Sequence, residues 1–183
     1  MSRRISIVGN SGSGKTTLAR VAAAALGVAH IELDAIYHQP GWQPLDESEF
    51  RRRLELAIDV DGWVIDGNYM FVAGDVIWPR ADTVVWLDLS RRTVMRQVVA
   101  RTLRRVVSRE ELWNGNKEPW SNLYRWDPRM NIIRWAWTQH EKYRARYEVA
   151  MADPSYAHVR FVRVRSHAEA GTWLASLIPV ATT

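Results

Sequence analysis

Residues 9–16 read Gly-Asn-Ser-Gly-Ser-Gly-Lys-Thr and satisfy the pattern G-x-x-x-x-G-K-[ST] at every fixed position. An apolar run precedes this octet, and a helix-like run follows it. A glycine-rich turn that opens into a helix N-terminus directs several backbone N–H donors at a phosphate chain. The motif predicts that Lys15 reaches the β- and γ-phosphates of a triphosphate and that the Thr16 hydroxyl ligates Mg²⁺. The alternative is a chance match, which the strand before and the helix after the octet disfavour.

Length and composition predict one globular domain over residues 1–183. No apolar run approaches the roughly 20 residues of a membrane span, and the first residues lack the apolar core of a signal peptide. We therefore expect a cytoplasmic protein with no membrane partner. The absence of cysteine excludes disulfides and thiolate chemistry. The net charge of +5 suits either nucleic acid or a small polyanion such as a nucleotide.

Five apolar segments alternate with helical patterns along the chain. The predicted strands cover residues 5–8, 28–33, 63–65, 83–87 and 159–164, and the predicted helices cover residues 17–26, 46–61, 90–107, 130–151 and 168–177. This alternation predicts an α/β fold with a parallel sheet, in which ligands bind beyond the carboxyl ends of the strands. One rim of the sheet should therefore carry the octet, Asp34, Asp66, Asp88 and the turn after Val164.

The helical patterns also predict which residues cap and which face the core. Asp46 is the predicted N-cap of its helix, with Glu49 completing a capping box. In the helix over residues 130–151, the spacing of four residues predicts that they face the core: Ile133, Trp137, His140 and Tyr147. The stretch between about Val107 and Arg129 is predicted to be irregular or only briefly helical. A connection of this length is typical of a functional lid.

Beyond the octet, four segments follow in order: Glu32-Leu33-Asp34-Ala35-Ile36-Tyr37 with Pro40-Gly41-Trp42, then Trp63 to Tyr69, Thr83 to Asp88, and Gly115-Asn116-Lys117-Glu118. Together they resemble the nucleoside-monophosphate-kinase branch of the P-loop proteins, most closely the adenylate-kinase-related DNA topology modulation (FlaR-type) proteins. The resemblance implies a three-layer P-loop NTPase sandwich with a five-stranded parallel sheet of order 2-3-1-4-5. It also implies an acceptor-binding insertion at about residues 34–61 and an arginine-rich helical lid at about residues 101–129.

Phosphoryl transfer needs an acid that holds the metal ion. Asp66 ends the third predicted strand and precedes Gly67, and the resemblance implies that it holds Mg²⁺ through water, with Thr16 as the other metal residue. The alternative for Asp66 is a turn-forming Asp-Gly pair. Asp88, at the end of the next strand, is the competing metal candidate, although the resemblance implies a structural role for it.

The acceptor needs a group that orients it, and Asp34 follows the second strand, where several small-molecule kinases of this superfamily place an acid. A carboxylate there would orient the acceptor oxygen or take its proton. The alternative is a helix or turn cap. Tyr37 and Trp42 favour substrate binding because aromatic faces can stack on a base. Asn68 is the fourth predicted substrate residue.

Cations must surround the transferred phosphoryl group, and the segment from Arg91 to Arg109 is rich in arginine. Arg101 falls where adenylate kinases place a lid arginine, whose guanidinium fits phosphate oxygens bidentately. The position four residues earlier, often a second arginine in those enzymes, is Gln97. Arg104 and Arg105, about one helical turn beyond Arg101, would compensate. Solvent exposure is the favoured interpretation for every arginine of this segment except Arg101, including Arg104 and Arg105.

These observations predict a phosphotransferase that uses ATP and Mg²⁺ and whose partner is a small-molecule phosphate acceptor, either a nucleotide or another metabolite. A shikimate- or gluconate-like sugar-acid kinase and a toxin-like kinase stay open. The alternative from another class is an ATP-binding regulatory or nucleic-acid-binding protein, although no known nucleic-acid-binding signature is present. The predicted catalytic residues are Lys15, Asp34, Arg101 and Arg105. The predicted nucleotide-binding residues are Gly9, Asn10, Ser11, Gly12, Ser13, Gly14, Lys15, Thr16, Thr17 and Arg101.

Overall fold

The computed structural model describes residues 3–128 and 131–177. At its centre lies a five-stranded sheet in which all neighbouring strands are parallel. The strands are β1 (Arg4–Gly9), β2 (Ala29–Glu32), β3 (Trp63–Asp66), β4 (Thr83–Leu87) and β5 (Arg160–Val164). Their spatial order, β2-β3-β1-β4-β5, confirms the predicted order 2-3-1-4-5.

Helices connect the strands. In the described part of the chain they are α1 (Lys15–Leu26), α2 (Leu33–Tyr37), α3 (Glu47–Ile58), α4 (Met70–Ile77), α5 (Arg91–Ser108), α6 (Ser121–Tyr124), α7 (Ile132–Met151) and α8 (His167–Ala175). Side chains of Asp46, Ser90, Asn131 and Ser166 accept backbone N–H groups at the starts of α3, α5, α7 and α8. These caps satisfy donors that a helix start leaves unpaired. Two predicted boundary residues, Met130 of the long helix and Arg129 of the lid, lie outside the described residues.

Helices cover both faces of the sheet because successive side chains of a strand point to opposite sides. Ile5 and Ile7 belong to a core that β1 shares with α1 and α8. Trp63 and Ile65 belong to a second core, which β3 shares with α3, α4 and α7. All of β4 is buried, as expected for a parallel strand covered on both faces. The predicted three-layer sandwich is confirmed.

Two helical details differ from the predictions. Trp137 was expected to face the core, but it is 54% exposed and its ring lies 4.8 Å below the Arg91 guanidinium. The inward face of α7 carries the predicted His140 and Tyr147 together with Ala136 and Tyr143. Glu49 does not complete a capping box, because its carboxylate accepts hydrogen bonds from Arg52 and Arg53 on the same helix.

The segments around α2 and α4 also differ from the sequence pattern. The second strand stops at Glu32, and Leu33 begins α2 instead of extending β2. The helix α4 was not predicted, since a short and mostly apolar run has no periodicity that distinguishes helix from strand. None of the described helices combines the length and apolar character needed to cross a membrane.

Candidate active site

The glycine-rich loop connects the end of β1 to the start of α1, and its shape depends on glycine at two positions. Gly9 has φ +149°, and a Cβ there would lie 2.9 Å from the Leu87 carbonyl oxygen. Gly12 has φ +83°, and a Cβ there would lie 2.8 Å from the Cβ of Val98 on α5. L-residues rarely adopt these φ values, and the contacts leave no room for a side chain. The loop is therefore packed closely between β4 and α5.

The polar side chains at the glycine-rich loop have different surroundings, and Asn10 connects the loop to α7. The Asn10 side chain donates to the Ala136 carbonyl at 2.6 Å and accepts from the Ser11 N–H at 2.8 Å. The Ser13 hydroxyl is buried and has no hydrogen-bond partner among the described residues. Thr17 lies on the exposed side of α1.

Lys15 begins α1 and turns back over the loop, where its Nζ donates to the Asn10 carbonyl at 3.0 Å. Burial lowers the pKa of Lys15, and the charges of Asp34 and Asp66 oppose this shift. The ammonium therefore lies in a partly desolvated position near two carboxylates, where its interaction with a phosphate would be weakly screened.

Asp66 ends β3 and is only 4% exposed. The Thr16 hydroxyl donates to Asp66 Oδ2 at 2.5 Å, so the structure brings the two predicted metal residues together. His30 was not predicted, and its Nε2 lies 2.9 Å from Asp66 Oδ1. The only signal for this contact would have been the strand order, because His30 reaches Asp66 only when β2 lies beside β3.

Asp34 lies in the first turn of α2, just beyond the end of β2. The Tyr69 hydroxyl donates to Asp34 Oδ1 at 2.8 Å, a contact that the sequence did not predict. Burial and the Asp34 charge raise the pKa of Tyr69 far above its ordinary value, so Tyr69 stays a hydrogen-bond donor. Tyr69, from the residues that follow β3, therefore holds the Asp34 carboxylate in place.

Of the two predicted aromatic substrate residues, Tyr37 packs toward the core. Its ring centroid lies 4.9 Å from that of Tyr69 and 5.6 Å from that of Phe50. Trp42 instead contacts the segment between α5 and α6. Its Nε1 donates to the Lys117 carbonyl at 3.0 Å. The structure therefore places the two rings in different surroundings.

Asn68 follows β3 and fastens the start of the glycine-rich loop. Its Oδ1 accepts the Gly9 N–H at 3.1 Å and the Tyr147 hydroxyl at 3.0 Å. The predicted substrate residue therefore also positions the loop against α7.

Residues 111–118, which belong to the predicted lid, contact the residues around the Pro40–Trp42 turn, so the two predicted functional segments touch. The Asn114 amide donates to the carbonyls of Ala35 and His38 at 3.0 and 2.6 Å. The Trp113 indole donates to Glu32 Oε2 at 2.7 Å. These contacts close the side of the site that faces α2.

Arg101 and Arg105 lie one turn apart on α5 and are both partly buried. A buried acid, Glu118, approaches Arg105 with 3.9 Å between Oε2 and Nη1. Burial and the charge of Arg105 lower the pKa of Arg101, while Glu118 and Asp34 act in the opposite direction. The Nε atoms of both arginines have no hydrogen-bond partner among the described residues. Arg104 is exposed, so it does not share this environment.

Comparison with proteins of known activity assigns the chain to a family. No protein-family model matches the chain. A shikimate kinase of Mycobacterium avium (strain 104) is 30% identical over 141 residues, which cover 68% of this chain and 80% of that protein. A cytidylate kinase of Pyrobaculum aerophilum is 31% identical over 139 residues, which cover 66% of this chain and 74% of that protein. The chain belongs to the P-loop kinases. It is a phosphotransferase that acts on a small molecule, and its family implies a nucleotide as the phosphoryl donor.

Solved structures share the fold of this P-loop kinase. A shikimate kinase from Bacteroides thetaiotaomicron has a TM-score of 0.56 at 16% identity, with 97% of each chain covered. A deoxyadenosine kinase from M. mycoides has a TM-score of 0.55 at 14% identity, with 94% of this chain and 95% of that chain covered. At these identities the likeness concerns the fold alone.

Asp88, the competing metal candidate, has a different environment in the kinase. Arg163 donates to Asp88 Oδ2 from Nε at 2.9 Å and from Nη2 at 2.7 Å, and Arg144 donates to the same oxygen at 3.2 Å. Asp88 is therefore neutralised by two guanidinium groups, which suits the structural role. His140 is a buried histidine, as expected, and its Nε2 lies 3.0 Å from the Leu89 carbonyl.

Proposed function

We propose that this kinase transfers the γ-phosphoryl group of Mg·ATP to a small molecule bound beside Asp34. One observation carries the proposal. The Lys15 ammonium, at the carboxyl edge of the sheet, interacts electrostatically with three charged side chains: Asp34, Asp66 and Arg101. A cation for the phosphates, an acid for the metal and an acid for the acceptor are the groups that phosphoryl transfer requires.

The residues present fit a nucleotide and its metal ion. The loop between Gly9 and Thr16 presents backbone N–H groups at a helix N-terminus, and the unpartnered N–H groups of Arg101 and Arg105 suit an anion. The oxygens of Thr16 and Asp66 are the hard ligands that Mg²⁺ prefers. Residues 3–128 and 131–177 contain no group of three or more His, Cys, Asp or Glu side chains arranged to hold a metal. Mg²⁺ in kinase sites takes its other ligands from phosphates and water.

When bound, Mg·ATP supplies the phosphoryl group and neutralises part of its charge. In our proposal Lys15 and Arg101 donate to the phosphate oxygens as negative charge develops on them. Tyr69 holds Asp34 Oδ1, so that the other carboxylate oxygen can accept a proton from the acceptor. Arg105 would donate to the same phosphates, and its Nη1 lies 3.9 Å from Oε2 of the buried Glu118.

We further propose that residues 34–61 bind the acceptor and that residues 101–129 form the lid. In support, Trp42 donates its N–H to Asn116 Oδ1 and its Nε1–H to the Lys117 carbonyl, so the two segments are joined by hydrogen bonds. Closure over both ligands would exclude water, which otherwise competes with the acceptor for the phosphoryl group.

The experiment measures ADP release and phosphorylated product over a panel of nucleosides, nucleotides, hydroxy acids and polyols. At least one acceptor should stimulate turnover, and Lys15→Ala should lower that turnover by roughly 100-fold or more. Arg20→Ala is the matched control, because Arg20 is an exposed cation on the same helix. The proposal fails when no acceptor stimulates ADP release or when Lys15→Ala behaves like Arg20→Ala.

The closer resemblance to the topology modulation proteins is also a proposal, supported by the ordered segments from residue 32 to residue 118. A role on DNA would rest on the arginine-rich surface, and its phosphate contacts would make the affinity fall steeply with salt. A salt titration of DNA binding measures that slope. A protein that binds no DNA at physiological salt would not have this second role.

A further inference from the structure

The Asp66 carboxylate is held from two sides, by a residue of α1 and by a residue of β2. The Thr16 hydroxyl donates to Oδ2 at 2.5 Å, and His30 lies on the other oxygen, with 2.9 Å between Nε2 and Oδ1. A carboxylate only accepts hydrogen bonds, so the imidazole donates from Nε2. Both oxygens of Asp66 therefore accept a hydrogen bond.

The register between β2 and β3 places His30 on the side of the sheet where Asp66 is needed. Glu32 is the partner of Asp66 across the two strands, and His30 is the partner of Val64. Alternate residues of a strand point to the same side, so His30, Glu32 and Asp66 share one side of the sheet. Val64 belongs to the core that the sheet shares with α1, the helix that carries Thr16. The imidazole therefore lies on the same side as both proposed metal residues.

The second nitrogen of the imidazole faces another acid. Nδ1 of His30 lies 4.0 Å from Glu32 Oε1, and Glu32 Oε2 accepts the Trp113 indole N–H at 2.7 Å. Carboxylates that face each other across two strands repel, and the imidazole approaches both of them. The orientation of the ring is therefore determined at both nitrogens, by Asp66 on one side and by Glu32 on the other.

The two hydrogen bonds to Asp66 determine how its carboxylate is rotated. The last torsion of an aspartate side chain has broad minima, so a single contact leaves the plane of the carboxylate poorly defined. Donors on both oxygens define that plane. Each oxygen keeps a further lone pair, which can accept a hydrogen bond from water on a metal ion. Groups that orient the ligands of a metal typically contribute about 10- to 100-fold to its affinity.

We propose that His30 is a positioning residue, which orients Asp66 for the magnesium ion of the nucleotide complex. This inference rests on the proposed function, in which Asp66 and Thr16 hold Mg²⁺. Without the imidazole, the carboxylate could rotate away from Thr16, and its ordering would reduce the free energy of metal binding. His30 therefore contributes to the affinity for the nucleotide with its metal ion and not to the affinity for the nucleotide alone.

The test measures the Kd of a non-hydrolysable ATP analogue by calorimetric titration, once with Mg²⁺ and once with EDTA. The ratio of the two values gives the contribution of the metal ion to binding, without any turnover. Wild type should bind the analogue more tightly with Mg²⁺ than with EDTA. In His30→Leu the contribution of Mg²⁺ should fall by about 10-fold or more, while the Kd in EDTA stays within about threefold of wild type.

Further variants separate orientation of Asp66 from packing of the edge strand. His30→Gln keeps a side-chain N–H donor, so it should restore the Mg²⁺ contribution to within about threefold of wild type. His158→Leu is the matched control and should behave like wild type, because His158 is exposed in the turn before β5. The melting temperature of each variant shows that it folds, and His30→Ala replaces the leucine variant if leucine prevents folding.

The outcomes separate this inference from the proposed function. Turnover stimulated by an acceptor, with an unchanged Mg²⁺ contribution in His30→Leu, retains the kinase chemistry and overturns the role of His30. A reduced Mg²⁺ contribution, without turnover on any acceptor, retains the role of His30 and refutes the kinase chemistry. The inference is also overturned when His30→Gln behaves like His30→Leu, or when the Kd in EDTA rises as much as the Kd in Mg²⁺, since packing alone would then explain the loss.

Discussion

Substitution of Asn116 by alanine should loosen residues 111–118 from the residues around Trp42. Asn116 is 3% exposed and lies in this segment of the predicted lid. Its Oδ1 accepts the Trp42 N–H at 2.8 Å. Its Nδ2 donates to the carbonyls of Gln39 and Trp113 at 3.0 and 2.9 Å. Alanine removes all three hydrogen bonds and leaves the Trp42 N–H without this partner.

The expected magnitude follows from the two hydrogen bonds that cross from the lid to Gln39 and Trp42. Loss of the bond to the Gln39 carbonyl costs about 1 kcal/mol net, and leaving the Trp42 N–H unpaired costs about 1–3 kcal/mol. We therefore expect separation of the two segments to become easier by about 2–4 kcal/mol, which is roughly a 30- to 700-fold change in the opening equilibrium. The sheet makes none of these contacts, so its stability should change less.

Amide hydrogen exchange measures this opening directly, with the Trp42 N–H as the reporter and the Ile7 N–H of β1 as the reference. Gln43→Ala is the matched control, because Gln43 directly follows the Pro40–Trp42 turn and its side chain is exposed. A Trp42 amide that exchanges within about threefold of its wild-type rate would refute the reasoning. An equal loss of protection at Ile7 would refute it as well, because the effect would then be global.

Three further predictions concern the loop, the buried acid and the pH dependence of stability. Gly12→Ala should weaken ATP binding by about 10-fold or more, because the added Cβ collides with α5 at a positive φ; unchanged affinity in a calorimetric titration would contradict this. Arg163→Gln should lower the free energy of unfolding by about 3 kcal/mol, because Asp88 is left buried with less compensation; in urea unfolding, the exposed Arg160→Gln should change it by less than about 0.5 kcal/mol. Hydrogen bonds from Arg52 and Arg53 lower the pKa of Glu49 from 4.5 to about 2. The ionised carboxylate therefore contributes fully to the free energy of unfolding above pH 4.5, and this contribution is lost as the pH falls toward 2. The melting temperatures of wild type and Glu49→Gln should therefore converge over that interval, and a constant difference would count against the assignment.

The positions at the edge of the sheet that the sequence predicted are those encoded by neighbouring residues. The octet from Gly9 to Thr16 needs only a strand, a glycine-rich turn and a helix in succession. The acids Asp34 and Asp66 could be placed because strands that alternate with helices lie parallel and end at one edge of the sheet. The order of the five strands followed from the resemblance to a known fold and is confirmed.

The contacts that the sequence did not predict join residues far apart in the chain. His30 reaches Asp66 across 36 positions, and Asn116 reaches Trp42 across 74. No local sequence pattern identifies either residue as the partner in such a contact, since a lone histidine in a strand and an asparagine in a turn are common. Trp137 shows the same limit, because a helix has several apolar faces and the spacing alone does not decide which one is buried.

The sequence by itself therefore determined the class of chemistry, a phosphate-binding loop followed by acids at strand ends, because these features depend on short-range order along the chain. Tertiary structure alone decided which oxygen of Asp66 contacts Thr16, which side chain holds Asp34, and how the lid meets the residues around Trp42. The physical reason is that hydrogen bonds and ion pairs act only over a few ångströms. Their partners are known only after packing has brought distant segments together.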